Sequence, residues 1–207
     1  MIWQGDLVVL VADSNMQAAV RGLFSRPESL GIRPIQFNIF VHVERDPGCF
    51  HRGHDFLRSM AKRYEHGLIL FDRIGSGQED QSSENLEKSV NARLSLCGWN
   101  ERAATIVLDP ELEVWVWAES PEVGRCLGWK GPLDIQSWLS DHGMWPKGNP
   151  KPENPKKAVE LVLRYINKPR SSSIYQTLAE NVSFQKCVDA AFRKFKEVMQ
   201  NWFPRGA

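Results

Sequence analysis

Three short apolar runs, each closed by an acid, constrain this chain more than any other feature. Residues 7–12 end at Asp13, residues 67–71 at Asp72, and residues 104–108 at Asp109, with Glu111 and Glu113 close behind. The runs read as strands, and the segments between them carry helical spacing. Met16, Val20, Leu23 and Phe24 share one face of a helix over 14–24, and Phe56, Leu57, Met60 and Tyr64 one over 50–64. A third helix is predicted over 83–96. Residues 34–43 add another strand, second in chain order, in which Ile35, Phe37, Ile39 and Val41 alternate with Gln36, Asn38 and His42. Strand and helix in strict alternation predict an α/β fold, a mostly parallel four-stranded sheet flanked by helices. The acids would then gather along one sheet edge. Carboxylates from separate strands suit a hard divalent cation, Mg²⁺ or Mn²⁺, which binds through oxygen.

Beyond residue 108 the pattern is helical. Asp109-Pro110 predicts a helix running through Trp115 and Trp117, and Ser120-Pro121-Glu122 a second start. Further helices are expected over 133–139, 156–165, 172–180 and 183–202, the last with Cys187, Val188, Ala191, Phe195, Val198, Met199 and Trp202 facing the core. Residues 143–155, rich in Pro, Gly, Lys and Asn, read as a linker. The expected division is an α/β core over 1–118 and a helical C-terminal region over 119–207 packed on it.

With 42% apolar and 25% charged residues in 207, the composition is that of an ordinary globular chain. No stretch approaches the ~18 apolar residues of a membrane span, and residues 1–6 lack a signal-peptide layout, so no membrane association is expected. Cys49, Cys97, Cys126 and Cys187 are scattered without a CxxC pair, which fits a reducing cytoplasm. The net charge of +1 conceals an asymmetry of −6 over residues 1–142 and +7 over 143–207. An acidic body with a basic C-terminal third could hold a metal with one part and a polyanion with the other. A solvated basic face, or attraction between the two parts, explains the same charges.

Each acid has two readings. Asp13 is a helix cap or a metal-site acid, and Asp72, opening the loop to Gly75 and Gly77, is a turn residue or a ligand. Asp109, before Pro110 and Glu111, has the form of a helix start. Glu113 lies beside the apolar run 114–117, and a buried carboxylate there needs a metal, an Arg or a hydrogen-bond network. The segment after the second strand would face the same edge, and His42 at the end of that strand and Arg45 and Asp46 just beyond it are secondary candidates there. Cys49, His51 and His54 fit no standard zinc spacing. Trp115, Trp117, Trp129, Trp138 and Trp145 either stack on bases or pack in the interior, and their apolar neighbours favour packing. No Walker loop, GxSxG elbow or GxGxxG fingerprint is present.

At these residues the chain resembles the Toprim-like proteins, the fold of topoisomerase and primase metal sites and of the overcoming-lysogenization-defect nucleases. It is more closely similar to a family of small bacterial Toprim-like proteins. The likeness rests on the acids after the first and third strands and on Glu111-Leu112-Glu113-Val114-Trp115. Asn154-Pro155-Lys156 and the segment from Cys187 to Phe195 extend it over most of the chain. It implies phosphodiester hydrolysis with Asp13, Asp72, Glu111 and Glu113 as catalytic residues and Asp72, Asp109, Glu111 and Glu113 as the candidate set for Mg²⁺ or Mn²⁺. Arg45, Arg73, Lys156, Lys157 and Arg170 would hold nucleic acid. It also implies a role in bacterial anti-phage defence, including methylation-associated systems, alongside other defence proteins. Two departures stand out. Asp13 replaces the usual Glu, and Asp72-Arg73-Ile74 lacks the second Asp of the usual Asp-x-Asp. The second departure raises a catalytically inactive binding module as the alternative.

Overall fold

The computed structural model describes residues 4–183, 185 and 187–206. The first three residues of the N-terminal start, and two positions in the expected 183–202 helix, lie outside the described residues. The α/β half runs β1 (Gly5–Val11), α1 (Ser14–Phe24), α2 (Pro27–Leu30), β2 (Phe37–Val41), α3 (Arg45–Arg58), β3 (Tyr64–Asp72), α4 (Ser83–Leu96) and β4 (Ala103–Leu108). All strand pairings are parallel, in the order β2-β1-β3-β4. The chain therefore leaves β1 for β2 on one side and returns to β3 on the other. A crevice forms beyond the carboxyl ends of β1 and β3 at such a reversal. Leu7 to Val11 and Leu68 to Phe71 have no exposed surface, as expected of central strands covered on both faces.

The C-terminal half contributes α5 (Glu122–Leu127), α6 (Ile135–Asp141), α7 (Pro155–Tyr165), α8 (Ser172–Asn181) and α9 (Ala190–Trp202). These helices share one apolar core with the sheet, since Leu112, Trp117, Val162, Phe195 and Met199 join the cluster of Leu10, Leu70 and Ile106. Helix α8 lies against α1. Gly22 permits that approach, because a Cβ there would sit 2.6 Å from the Gln176 carbonyl and 2.7 Å from the Ala179 Cβ. Gly22→Ala should therefore destabilise despite alanine's better helix propensity, by about 2 kcal/mol, or roughly 4–8 °C in a thermal melt. A melt unchanged or raised would show that α8 gives way easily.

Helix α9 closes the β4 edge. Glu87 of α4 is buried, accepts the Val107 N–H at 2.9 Å and pairs with Lys194 of α9. A free strand edge is thereby covered rather than left to pair with another chain. The end of α9 stacks Trp202 on His66 of β3, with centroids 4.4 Å apart, and sets Phe203 edge-on to the same ring. Burial lowers the His66 pKa to about 4. The native state therefore resists a proton that the unfolded chain accepts, so stability is full above about pH 6.5 and lost as pH falls toward 4. The loss attributable to His66 should be about 2 kcal/mol once the ring's partial exposure is allowed for. Urea titrations of wild type and His66→Phe should diverge across that window; parallel curves would contradict the assignment.

Four expected boundaries need correction. The second strand is confined to Phe37–Val41, because Pro34 has no N–H and the Gln36 N–H goes to the Asp6 carboxylate at 2.6 Å. Helix α3 begins at Arg45 and stops at Arg58. The turn after it is held by Arg102, whose guanidinium reaches the carbonyls of Ala61, Tyr64 and Glu65. No helix runs from Asp109 through Trp117. Asp109-Pro110 is cis, and only a 3₁₀ turn, Leu112–Trp115, follows. Trp115 donates to Asp189 and Trp117 to the Pro155 carbonyl, so the two indoles are drawn to different helices. The last helix begins at Ala190, where Asp189 caps it by accepting the Phe192 N–H. Cys187 and Val188 precede it, and Val188 is exposed.

Candidate functional site at the carboxyl edge of the sheet

The edge is built by local rules at its first acid and by tertiary contacts at the rest. Asp13 caps α1, its Oδ1 accepting the Met16 N–H at 2.8 Å. Asp72 is the last residue of β3. Its backbone N–H donates to Oδ1 of Asp46, in the first turn of α3, at 2.8 Å. Parts of Asp72 remain accessible, yet its Oδ1 is fully occluded and has no hydrogen-bond partner. Burial pushes the Asp72 pKa well above the ordinary carboxylate range, and the neighbouring carboxylates of Asp46, Glu113, Asp13 and Glu111 push it further. Asp46 is raised as well, chiefly by burial.

Two cations from the C-terminal half answer this charge. Lys156, in the first turn of α7, places Nζ 2.8 Å from Oε2 of Glu111. Arg170, just before α8, pairs with Glu113, whose side chain is 1% exposed. Tyr175 of α8 donates its hydroxyl to the same Glu113 oxygen at 2.5 Å and accepts from Arg170 Nε at 2.7 Å. Glu113 thus meets its need for partners through an Arg and a hydrogen-bond network. Burial and the Glu113 carboxylate hold the Tyr175 phenol above its ordinary pKa, which keeps it a donor.

The remaining candidates lie apart from this group. Asp109 is exposed and faces Arg73, with Nε and Oδ1 2.9 Å apart. That N–H is not directed at the oxygen, so the contact is one of charges, while Arg73 also donates to the Glu79 carbonyl. Arg45 is exposed, with φ of 51°, and Lys157 is exposed in the first turn of α7. Cys49 is fully buried and His51 exposed, and His54 stands beside Asp55. Trp117, Trp138 and Trp145 are buried, with Trp117 edge-on to Trp145 and Trp138 tilted against Trp129. The tryptophans pack.

Among the described residues, no three His, Cys, Asp or Glu side chains converge as a ready-made metal cage. Mg²⁺ does not require one, because it commonly takes one or two carboxylates and completes its octahedron with water and substrate phosphate. The occluded, unpartnered Asp72 Oδ1 fits such a role. Glu111 and Glu113 fit it only by exchanging an ion pair. Tyr175 carried no signal in the sequence, where a tyrosine at helical spacing reads as core. Asp46 stood out only as a neighbour of the second strand.

Comparisons of the chain with protein-family models, with curated proteins and with solved structures found no match. What the coordinates define is a parallel α/β protein whose sheet edge carries an acidic cluster countered by two C-terminal cations. Among the described residues no helix is long and apolar enough to cross a membrane.

Proposed function

We propose that the chain is a Toprim-like, Mg²⁺- or Mn²⁺-dependent nuclease or phosphotransfer subunit that acts on nucleic acid in bacterial anti-phage defence, alongside other proteins of its system. The observation that carries the metal part is the occluded Asp72 Oδ1, without a partner and under the field of four other carboxylates. A buried polar atom left unpaired costs stability, and such costs concentrate where a ligand recovers them. Asp72, with Glu111 or Glu113, would hold the cation. The bound ion would polarise a phosphoryl oxygen and lower the pKa of a water. Asp13 keeps one oxygen on the α1 cap, and its other oxygen would serve as second ligand or proton acceptor. Lys156, Arg170, Arg73, Lys157 and Arg45 supply positive charge for phosphates without reading sequence. The defence role rests on the family resemblance alone.

A second reading, a catalytically inactive module that binds nucleic acid or a partner protein, is favoured by one specific feature. Glu111, Glu113 and Asp109 each already face a cationic side chain, and Ile74 stands where a second Asp would be. The two readings separate in a cleavage assay on single- and double-stranded DNA and RNA with Mn²⁺, Mg²⁺ or EDTA. Cleavage that needs metal and disappears in an Asp72→Asn, Glu113→Gln variant supports the enzyme. Absence of cleavage in wild type, with nucleic-acid binding retained, supports the module.

A further inference from the structure

We propose that Lys156 is an exchangeable counter-cation of the acidic edge: its ammonium pairs with Glu111, and a divalent cation competes with it for that carboxylate and displaces it. This rests on the metal-site reading above and adds to it which side chain the ion must displace.

The two cations at the edge are not equivalent. Arg170 holds a carboxylate that is almost wholly buried, shares it with Tyr175, bonds the Tyr175 hydroxyl, and has Glu160 3.8 Å away on its other side. Its departure would strand Glu113. Lys156 makes one side-chain bond, to Glu111, and its side chain is 40% exposed against 9% for the carboxylate. A flexible, strongly hydrated ammonium with one end in solvent can leave at low cost. Its position also opposes the local backbone. Lys156 lies in the first turn of α7, next to the Asn154 cap, where the helix dipole disfavours a cation. Glu111, rather than its own helix, accounts for its placement, and the Glu111 ion pair is the first cause of its raised pKa.

The charge balance gives the exchange a driving force. Asp13, Asp46, Asp72, Glu111 and Glu113 act on one another at this edge, and among the described residues Lys156 and Arg170 are the two cations whose side chains pair with any of them. A divalent ion brings one more charge than the ammonium it replaces, and it binds carboxylate oxygen directly. The freed ammonium would then be available to a substrate phosphate at the same edge.

The test is Mn²⁺ binding, followed by electron paramagnetic resonance, for wild type, Lys156→Met and Asp72→Asn. Removing a competing unit charge a few ångströms away should tighten Mn²⁺ binding in Lys156→Met by about tenfold or more. Asp72→Asn should abolish binding. A second measurement uses the wild type alone, so folding of a variant is not at issue. Reductive methylation read by mass spectrometry should label Lys156 faster when Mg²⁺ is added, relative to the exposed neighbour Lys157. Mn²⁺ affinity that is unchanged or weaker in a folded Lys156→Met, or Lys156 labelling indifferent to Mg²⁺, overturns the exchange while leaving the metal site standing. Mn²⁺ binding that is absent from wild type, or survives Asp72→Asn, overturns the metal-site reading and the exchange with it.

Discussion

Arg170→Ala should cost about 3–5 kcal/mol of folding stability, a thermal shift of roughly 10 °C or more. The size of this effect comes from what is left behind. Glu113 is 1% exposed, its charge is answered by Arg170, and Tyr175 supplies one further hydrogen bond. Without the guanidinium, a buried carboxylate is left beside the other acids of the edge with no cationic partner. The loss should be measured by urea denaturation at pH 7. It should be largely recovered in a Glu113→Gln, Arg170→Met double variant, since removing both partners avoids the stranded charge. A loss below ~1 kcal/mol would mean that water replaces Arg170 and that the network does not hold α8 to the edge.

The second large effect has the opposite sign. Asp72→Asn should raise stability at pH 7–8 by about 1–2 kcal/mol while removing divalent-metal binding altogether. The direction follows from linkage. The native state holds the Asp72 pKa above its ordinary 3.8, so the folded protein binds a proton that the unfolded chain releases. That contribution is complete below pH 3.8 and is lost as pH rises through the elevated native value. At neutral pH the wild type therefore bears a cost that a neutral amide lacks. The melting-temperature difference between variant and wild type should be positive at pH 8 and shrink toward zero near pH 4. A variant less stable than wild type at pH 8 would show that the charged carboxylate has a protein partner, and the case for a metal there would fail.

The same contrast between local and distant causes explains how legible the molecule was in its sequence. Helix α1 and helix α4 have the bounds expected, and each is capped by the side chain one residue before it, Asp13 in one and Ser82 in the other. The signals act within a few residues, so they survive in the one-dimensional record. The region after β4 failed as a helix because its two tryptophans are claimed by α7 and Asp189, partners 38 and 74 residues away. No local rule contains that information.

The acidic edge divides along the same line. The apolar runs and their closing acids determined a parallel α/β sheet with carboxylates at one end, because alternation of strand and helix leaves few other arrangements and the strand ends fall together. Tertiary structure alone decided which acids meet. It set Asp46 on the Asp72 backbone, moved Asp109 out to Arg73, and placed Lys156 on Glu111 and Arg170 on Glu113, across 45 and 57 residues of chain. An ion pair depends on distance in space and on burial, and a sequence specifies both only through the complete fold.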